Sequence, residues 1–289
     1  MGALFVFLLC YNFVMALYSI TIFLLTFIFG VCIGSFLNVV IYRMGSGTSL
    51  RGRSKCFSCG KQLTALMLIP LLSYFVMRGR CGYCGSKISP QYPLIEIATG
   101  LLFALTAYKT HLLSFSLSNT DLLITALEAG IWAVLVVVFV YDWKHKIIPD
   151  KLSLLFAVLS GVLLYIKYIY GMSPFPYIPF LESVPKWIDW AGAPAVAVPL
   201  ALVWLATLGR GMGLGDAKLA WGIGWFLGFS GGITAVILSF WIAFFPSLVL
   251  LFLKKNHFTM KSEIPFAPFL ILGTFVTYTF GVNILTWVF

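Results

Sequence analysis

Runs of roughly 20 predominantly apolar residues recur along this chain, and no other feature narrows its fold so far. A helix needs about that length to cross the hydrocarbon core of a bilayer. Such runs lie near 18–42, 93–110, 122–141, 152–170, 193–208, 218–231, 233–253 and 265–287, and residues 1–42 contain no charged side chain. Because lipid offers the backbone no hydrogen-bond partner, each run is expected to close its own bonds as an α-helix. The 19 Lys and Arg and 9 Asp and Glu are too few, and 61% hydrophobic residues too many, for a soluble globular surface. The fold class expected is an all-α polytopic membrane protein with about eight transmembrane helices. The first 42 residues lack the basic start and small-residue cleavage site of a removable signal, so they read as a retained span with an apolar extension.

The loops fix an orientation. With the loop after the first span in the cytoplasm, that side collects Arg43, Arg51, Arg53, Lys55, Lys61, Arg78, Arg80 and Lys87. To these it adds Lys144, Lys146, Lys151, Arg210, Lys218, Lys254, Lys255 and Lys261, which leaves only Lys109, Lys167 and Lys186 outside. The excess of cytoplasmic Lys and Arg then places both termini outside the cytoplasm. It also accounts for the net charge of +10 without a nucleic-acid partner, and a basic face suits anionic membrane lipids. The loop 171–192, rich in Pro and aromatics, is expected to lie at the outer interface.

Within the cytoplasmic loop stand Cys56 and Cys59, then Cys81 and Cys84. Two C-x-x-C pairs suit one tetrahedral zinc held by four thiolates, since each pair makes a tight turn that aims two sulfurs at the ion. Disulfides are the rival reading, but a reducing compartment disfavours them. With four protein ligands no position remains for substrate, so such a zinc is structural. Cys10 and Cys32 fall in apolar sequence and read as packing residues.

Of nine acids, Asp121, Glu128, Glu182 and Asp189 fall on the outer side and Glu263 in a charged loop, where solvation explains them. Asp142 ends the third span in "VVVFVYDWKHKIIPD" and Asp216 begins the sixth in "GMGLGDAKLA". Both sit at the cytoplasmic membrane edge, where two carboxylates sharing a proton and a water are the equipment of an aspartic protease. Gly211, Gly213 and Gly215 weaken the helix start and let backbone approach an extended peptide. Paired acids at membrane depth equally suit a proton or cation relay, the reading of an ion-coupled transporter, although no inverted repeat supports it. The glycines also mimic a dinucleotide loop, but no βαβ unit surrounds them. Asp150, after Pro149, reads as the start of the fourth helix.

Taken in order, "GSFLNVVIYR" (34–43), the cysteine pairs, "IPLLSY" (69–74), "RGRCGYCGSKISPQYPLIE" (78–96), "DWKHKIIPD" (142–150), "GMGLGDAKLA" (211–220) and "IPFAPFLILG" (264–273) resemble the type IV prepilin peptidases. These leader peptidase/N-methyltransferases are integral membrane aspartic proteases with a GxGD motif. The resemblance implies that Asp142 and Asp216 are the catalytic dyad of an inner-membrane enzyme. It implies cleavage of short basic leaders from prepilins or pseudopilins, then N-methylation with S-adenosylmethionine. Three regions follow: a first span (1–43), a zinc-binding loop (44–92) and a peptidase portion (93–289). The family usually has a tryptophan and then an acid before "IP", where this chain has Ala65 and Met67, a departure that bears on methylation alone and leaves open a peptidase without it. Glu96, just inside the second span, is a candidate for the cofactor site, against a structural role at the helix start.

Overall fold

A computed structural model describes residues 2–44, 52–110, 112, 118–174, 185–209, 212–252 and 265–285. Glu182, Glu263, Arg210, Gly211, Lys254, Lys255 and Lys261 lie outside them, as does the side chain of Cys10. The described chain is helical: α1 (Gly2–Arg43), α2 (Leu72–Val76), α3 (Gln91–Lys109), α4 (Asn119–His145), α5 (Asp150–Ile169), α6 (Gly192–Ala206), α7 (Leu214–Phe252) and α8 (Ala267–Phe280). Two isolated antiparallel bridges, Lys55 with Gln62 and Arg80 with Lys87, are the β pairing among the described residues. Five helical stretches are long and apolar enough to cross a bilayer: Asn12–Arg43, Asn119–His145, Asp150–Ile169, Lys186–Ala206 and Leu214–Val249. The protein is therefore a multi-pass, all-helical membrane protein, with its cysteine loop between the first and second long helices.

Two compact units divide the chain, residues 1–137 and 138–289. In the first, α1 and α3 run antiparallel along a seam of small residues. A Cβ on Gly30 would lie 2.8 Å from Phe103, one on Gly34 would lie 2.8 Å from the Glu96 backbone, and Asn38 bonds the Tyr92 carbonyl. Successive turns of α1 thus meet receding turns of α3, and glycine brings the backbones together where lipid gives helices no hydrophobic reason to associate. Asn119–His145 opens with a serine cap, in which the Ser118 hydroxyl accepts the Asp121 N–H and donates to its carboxylate.

In the second unit α7 is the centre, and it is not one rod. At Gly228 the backbone takes φ 71° and ψ −173°. A Cβ on Gly232 would lie 2.9 Å from the Gly224 Cα, whereas eight residues of straight helix separate two positions by about 12 Å. The chain turns back on itself there, so α7 supplies two antiparallel arms, corresponding to the predicted spans 218–231 and 233–253. The break falls earlier than the predicted boundary because Asp189 accepts the Phe229 N–H at 3.1 Å and caps the second arm. Asp189 and Glu128, expected in solvated outer positions, are both buried. Cys32, expected as a packing residue, is exposed on α1. On the first arm, Gly222 faces the buried ring of Phe156 in α5, and Gly224 abuts the backbone at the start of α6. On the second, the Ser239 side chain and the Ala235 carbonyl press on Gly273 of α8.

Candidate active site and cysteine cluster

Asp142 lies in the last turn of α4 and is buried. Its carboxylate accepts the backbone N–H of Ala267, the first residue of α8, while its Oδ2 is buried with no protein partner. The opening N–H groups of a helix have no intrahelical acceptor, and the helix dipole favours an anion there, so α8 offers Asp142 a ready donor. Asp216 occupies the first turn of α7 and is also buried. Its carboxylate accepts the Gly213 N–H, and its own N–H donates to the Gly213 carbonyl at 3.2 Å. The charge of Asp142 acts directly on Asp216, so the second unit brings together two acids separated by 74 residues.

The connection between α4 and α5 holds this arrangement. Lys146 takes a left-handed conformation, with φ 54°, and donates its N–H to the Asp142 carbonyl at 2.8 Å, ending the helix as glycine commonly does. The chain then brings Ile148 against α7, where a Cβ on Gly215 would lie 3.1 Å from the Ile148 Cβ. Asp150, at the start of α5, pairs with Lys218 at 2.6 Å, though both are well exposed and such pairs contribute about 0–1 kcal/mol. Gly215 is therefore a contact point between the strands of chain that carry the two acids. Gly213 is different, since an added Cβ would meet Asp216 Oδ2 only at an ordinary 3.5 Å. Sequence reasoning missed Ala267 and Ile148. Proline just inside the start of α8, in "FAPF", was the available sign of a helix N-terminus.

The four cysteines form two matched turns. In the first, Cys56 N–H bonds the Lys61 carbonyl and Gly60 N–H the Cys56 carbonyl, each at 2.9 Å. In the second, Cys81 N–H bonds the Ser86 carbonyl at 2.8 Å and Gly85 N–H the Cys81 carbonyl at 2.9 Å. Gly60 and Gly85 have φ of 70° and 71°, which glycine adopts without steric cost, so the repeated unit is C-x-x-C-G. The four sulfurs lie within 4.8 Å of one another, and Cys56 and Cys84 stand 3.8 Å apart. That is far beyond a disulfide bond of about 2.05 Å and matches the roughly 3.8 Å edge of a tetrahedron with Zn–S near 2.3 Å. N–H groups of Cys59 and Ser58, with the Ser86 hydroxyl, bring the Cys56 thiol down to about 6. The cluster has the donor set and the spacing to hold a metal ion.

Glu96, on α3, is buried and accepts the Leu71 N–H at 2.8 Å and the Ser35 hydroxyl. Leu71 has φ 58°, an unfavourable conformation for a branched side chain that this bond helps hold. Met67 reaches the other way, its Cε 2.8 Å from where a Cβ on Gly82 would stand, so it packs within the cysteine turns, while Ala65 is exposed.

Comparison with known proteins agrees with this architecture. Residues 28–110 match the bacterial Peptidase A24 N-terminal domain and residues 129–251 the type IV leader peptidase family. A prepilin leader peptidase/N-methyltransferase from Aeromonas salmonicida is 31% identical over 295 residues, covering 92% of this chain and 93% of its own length. Proteins of the same name from Neisseria gonorrhoeae and Bacillus subtilis are each 28% identical, covering 87% and 90% of this chain and 88% and 95% of their own. No solved structure matches. With both family regions present in order and a relative of that identity matched almost end to end, the chain belongs to the type IV leader peptidase family.

Proposed function

We propose that this protein is a membrane aspartic endopeptidase that removes the short basic leader from type IV prepilins or pseudopilins and then N-methylates the new N-terminal residue with S-adenosylmethionine. The observation that carries the peptidase reading is the meeting of Asp142 and Asp216, both buried, with Asp142 Oδ2 left unpartnered. In the reaction one acid is a carboxylate and the other a carboxyl. The carboxylate takes a proton from water as the water oxygen bonds to the scissile carbonyl carbon, and the carboxyl gives its proton to the carbonyl oxygen. Collapse of the resulting gem-diol breaks the C–N bond, and the departing nitrogen takes a proton back from the dyad. Asp142 Oδ2 is the atom left to face that water, because Ala267 and Gly213 hold the backbone-facing sides of the pair.

The substrate's apolar stem would lie along the spans with its basic leader on the cytoplasmic side of the inner membrane, the side to which the Lys and Arg excess assigns the cysteine loop. Both termini then lie outside the cytoplasm. The segments 1–43, 44–92 and 93–289 act as first span, zinc module and peptidase portion. We assign Glu96 a structural role, because its carboxylate is committed to Ser35 and to Leu71 of the loop. Mass spectrometry of a prepilin incubated with purified protein and S-adenosylmethionine tests the proposal. Loss of the leader and gain of one methyl are expected. Cleavage without methyl gain would assign the change at Ala65 and Met67 its consequence, and no cleavage of a cognate substrate would reject the peptidase reading.

Zinc fits the four thiolates, and it would fold a loop too small to make its own core, at an apparent binding energy of roughly 10–16 kcal/mol. Metal analysis of the purified protein should find about one zinc per chain. Cys56→Ser or Cys84→Ser should remove it and lower the protein level in the membrane, with the Asp pair unaltered.

A further inference from the structure

Beyond the peptidase site, the segment Leu66–Met77 leaves apolar side chains facing outward from a loop that the spans do not account for. Leu66 is 77% exposed, Phe75 64% and Val76 72%, and Leu68, Ile69 and Leu72 are exposed beside them. Two short helical turns, Leu66–Leu68 and Leu72–Val76, carry these residues. Six apolar side chains within eleven residues are a costly arrangement in water. The segment is followed at once by Arg78 and Arg80, both exposed.

Two attachments fix the depth of this segment. The Leu71 N–H is bonded to Glu96, five residues inside α3, about 7.5 Å along the helix from Gln91. The same module is anchored by Tyr42 at the end of α1, which stacks on Tyr92 with centroids 5.3 Å apart and meets Phe57 at 5.6 Å. Tyrosines at span ends mark the headgroup level. A segment tied below that level, with its apolar side chains exposed, is placed where lipid would cover them at less cost than water.

We propose that Leu66–Met77 lies in the membrane interface, with Leu72, Phe75 and Val76 in the acyl boundary and Arg78 and Arg80 on anionic lipid headgroups. Charge complementarity selects this occupant: the two arginines follow the apolar turn directly, where an in-plane segment meets the negative surface of a phosphatidylglycerol-containing leaflet. The cysteine module is thereby seated on the bilayer, its matched turns held at fixed height. The inference rests on the end of α1 and the fold of residues 52–109 and does not depend on the peptidase reading, so either can fail without the other.

The test uses the full chain carrying Phe75→p-benzoylphenylalanine in vesicles of phosphatidylethanolamine and phosphatidylglycerol. Irradiation followed by mass spectrometry should find acyl-chain adducts, with phosphatidylglycerol several-fold above its bulk share. Adding Arg78→Glu and Arg80→Glu should return that share to the bulk value. Hydrogen exchange of the unmodified protein supplies a measurement independent of any variant: amides of 66–77 should exchange several-fold more slowly in vesicles containing phosphatidylglycerol than in wholly zwitterionic ones. Adducts confined to other segments of this chain, adducts to an added prepilin in place of lipid, or equal exchange in the two vesicles would overturn the proposal.

Discussion

Asp216→Asn is expected to reduce leader cleavage on the order of 10⁴-fold or more while leaving the protein folded, and Asp142→Asn to do the same. Residues of a catalytic unit act together, so losing either acid removes most of what both supply. Asparagine keeps the shape and one acceptor, so the Gly213 N–H at Asp216 and the Ala267 N–H at Asp142 keep their partner. The substitution also puts a neutral amide in place of one of two buried acids that otherwise compete to ionise, so thermal stability should be unchanged or higher. Activity and stability therefore move in different directions, which separates a catalytic acid from a structural one. The comparison is made by leader removal at matched protein level, with thermal unfolding of the same preparations. Retention of normal cleavage by Asp216→Asn would sink the dyad and move the pair toward a cation relay.

The helical membrane fold was legible because lipid forces local satisfaction of the backbone, and apolar runs therefore translate into helices almost one for one. Even the separation of the sixth and seventh spans could be read, although the turn lies at Gly228 and not beside Gly232. Its position depends on Asp189, which arrives from a distant turn to accept the Phe229 N–H. No local pattern announces that, and an acid near an apolar run looks like a solvated one until its partner is seen. The cysteine spacing announced a cluster for the opposite reason: four thiols in two tight turns need only local geometry and a loop that closes. The following Gly60 and Gly85 were visible as a repeated C-x-x-C-G but carry their meaning only through positive φ.

The neighbours of the two acids were the least legible part. That Asp142 and Asp216 share a membrane face follows from where the spans end, but their proximity depends on close packing around α7. In sequence Gly215 reads as part of a loosened helix start for a peptide, and the structure gives it a nearer reason in Ile148. Ala267 contributes a backbone N–H and no side chain, so its part at Asp142 could be found only through the start of α8. Main-chain donors leave little trace in composition or spacing, and helix ends are where they concentrate.

Gly224→Ala should be the most disruptive single methyl at a helical glycine where the start of α6 meets α7. The added Cβ would run into the Gly192 carbonyl and stand 2.6 Å from the Ala193 Cα, all backbone atoms with no rotamer to give way. The start of α6 and the first arm of α7 must then separate, and Gly232 of the second arm, packed on the Gly224 Cα, must move with them. Overpacking of a filled core ordinarily costs about 1–3 kcal/mol, and displacement of backbone on two sides places this case at the upper end or above. Asp216 lies eight residues earlier on the same arm, so a shift of the arm also moves one acid relative to the other. A misplacement near 1 Å lowers a rate by about 100-fold. Gly130→Ala is the matched control: it is also helical, but a Cβ there meets nothing within 4 Å, so the change should be neutral or raise stability by up to about 1 kcal/mol. Thermal unfolding in detergent and leader cleavage of both variants make the comparison. Equal behaviour of the two would mean that α6 and α7 do not meet as closely as the glycines indicate, and that the position of Asp216 is set from the Ile148 side alone.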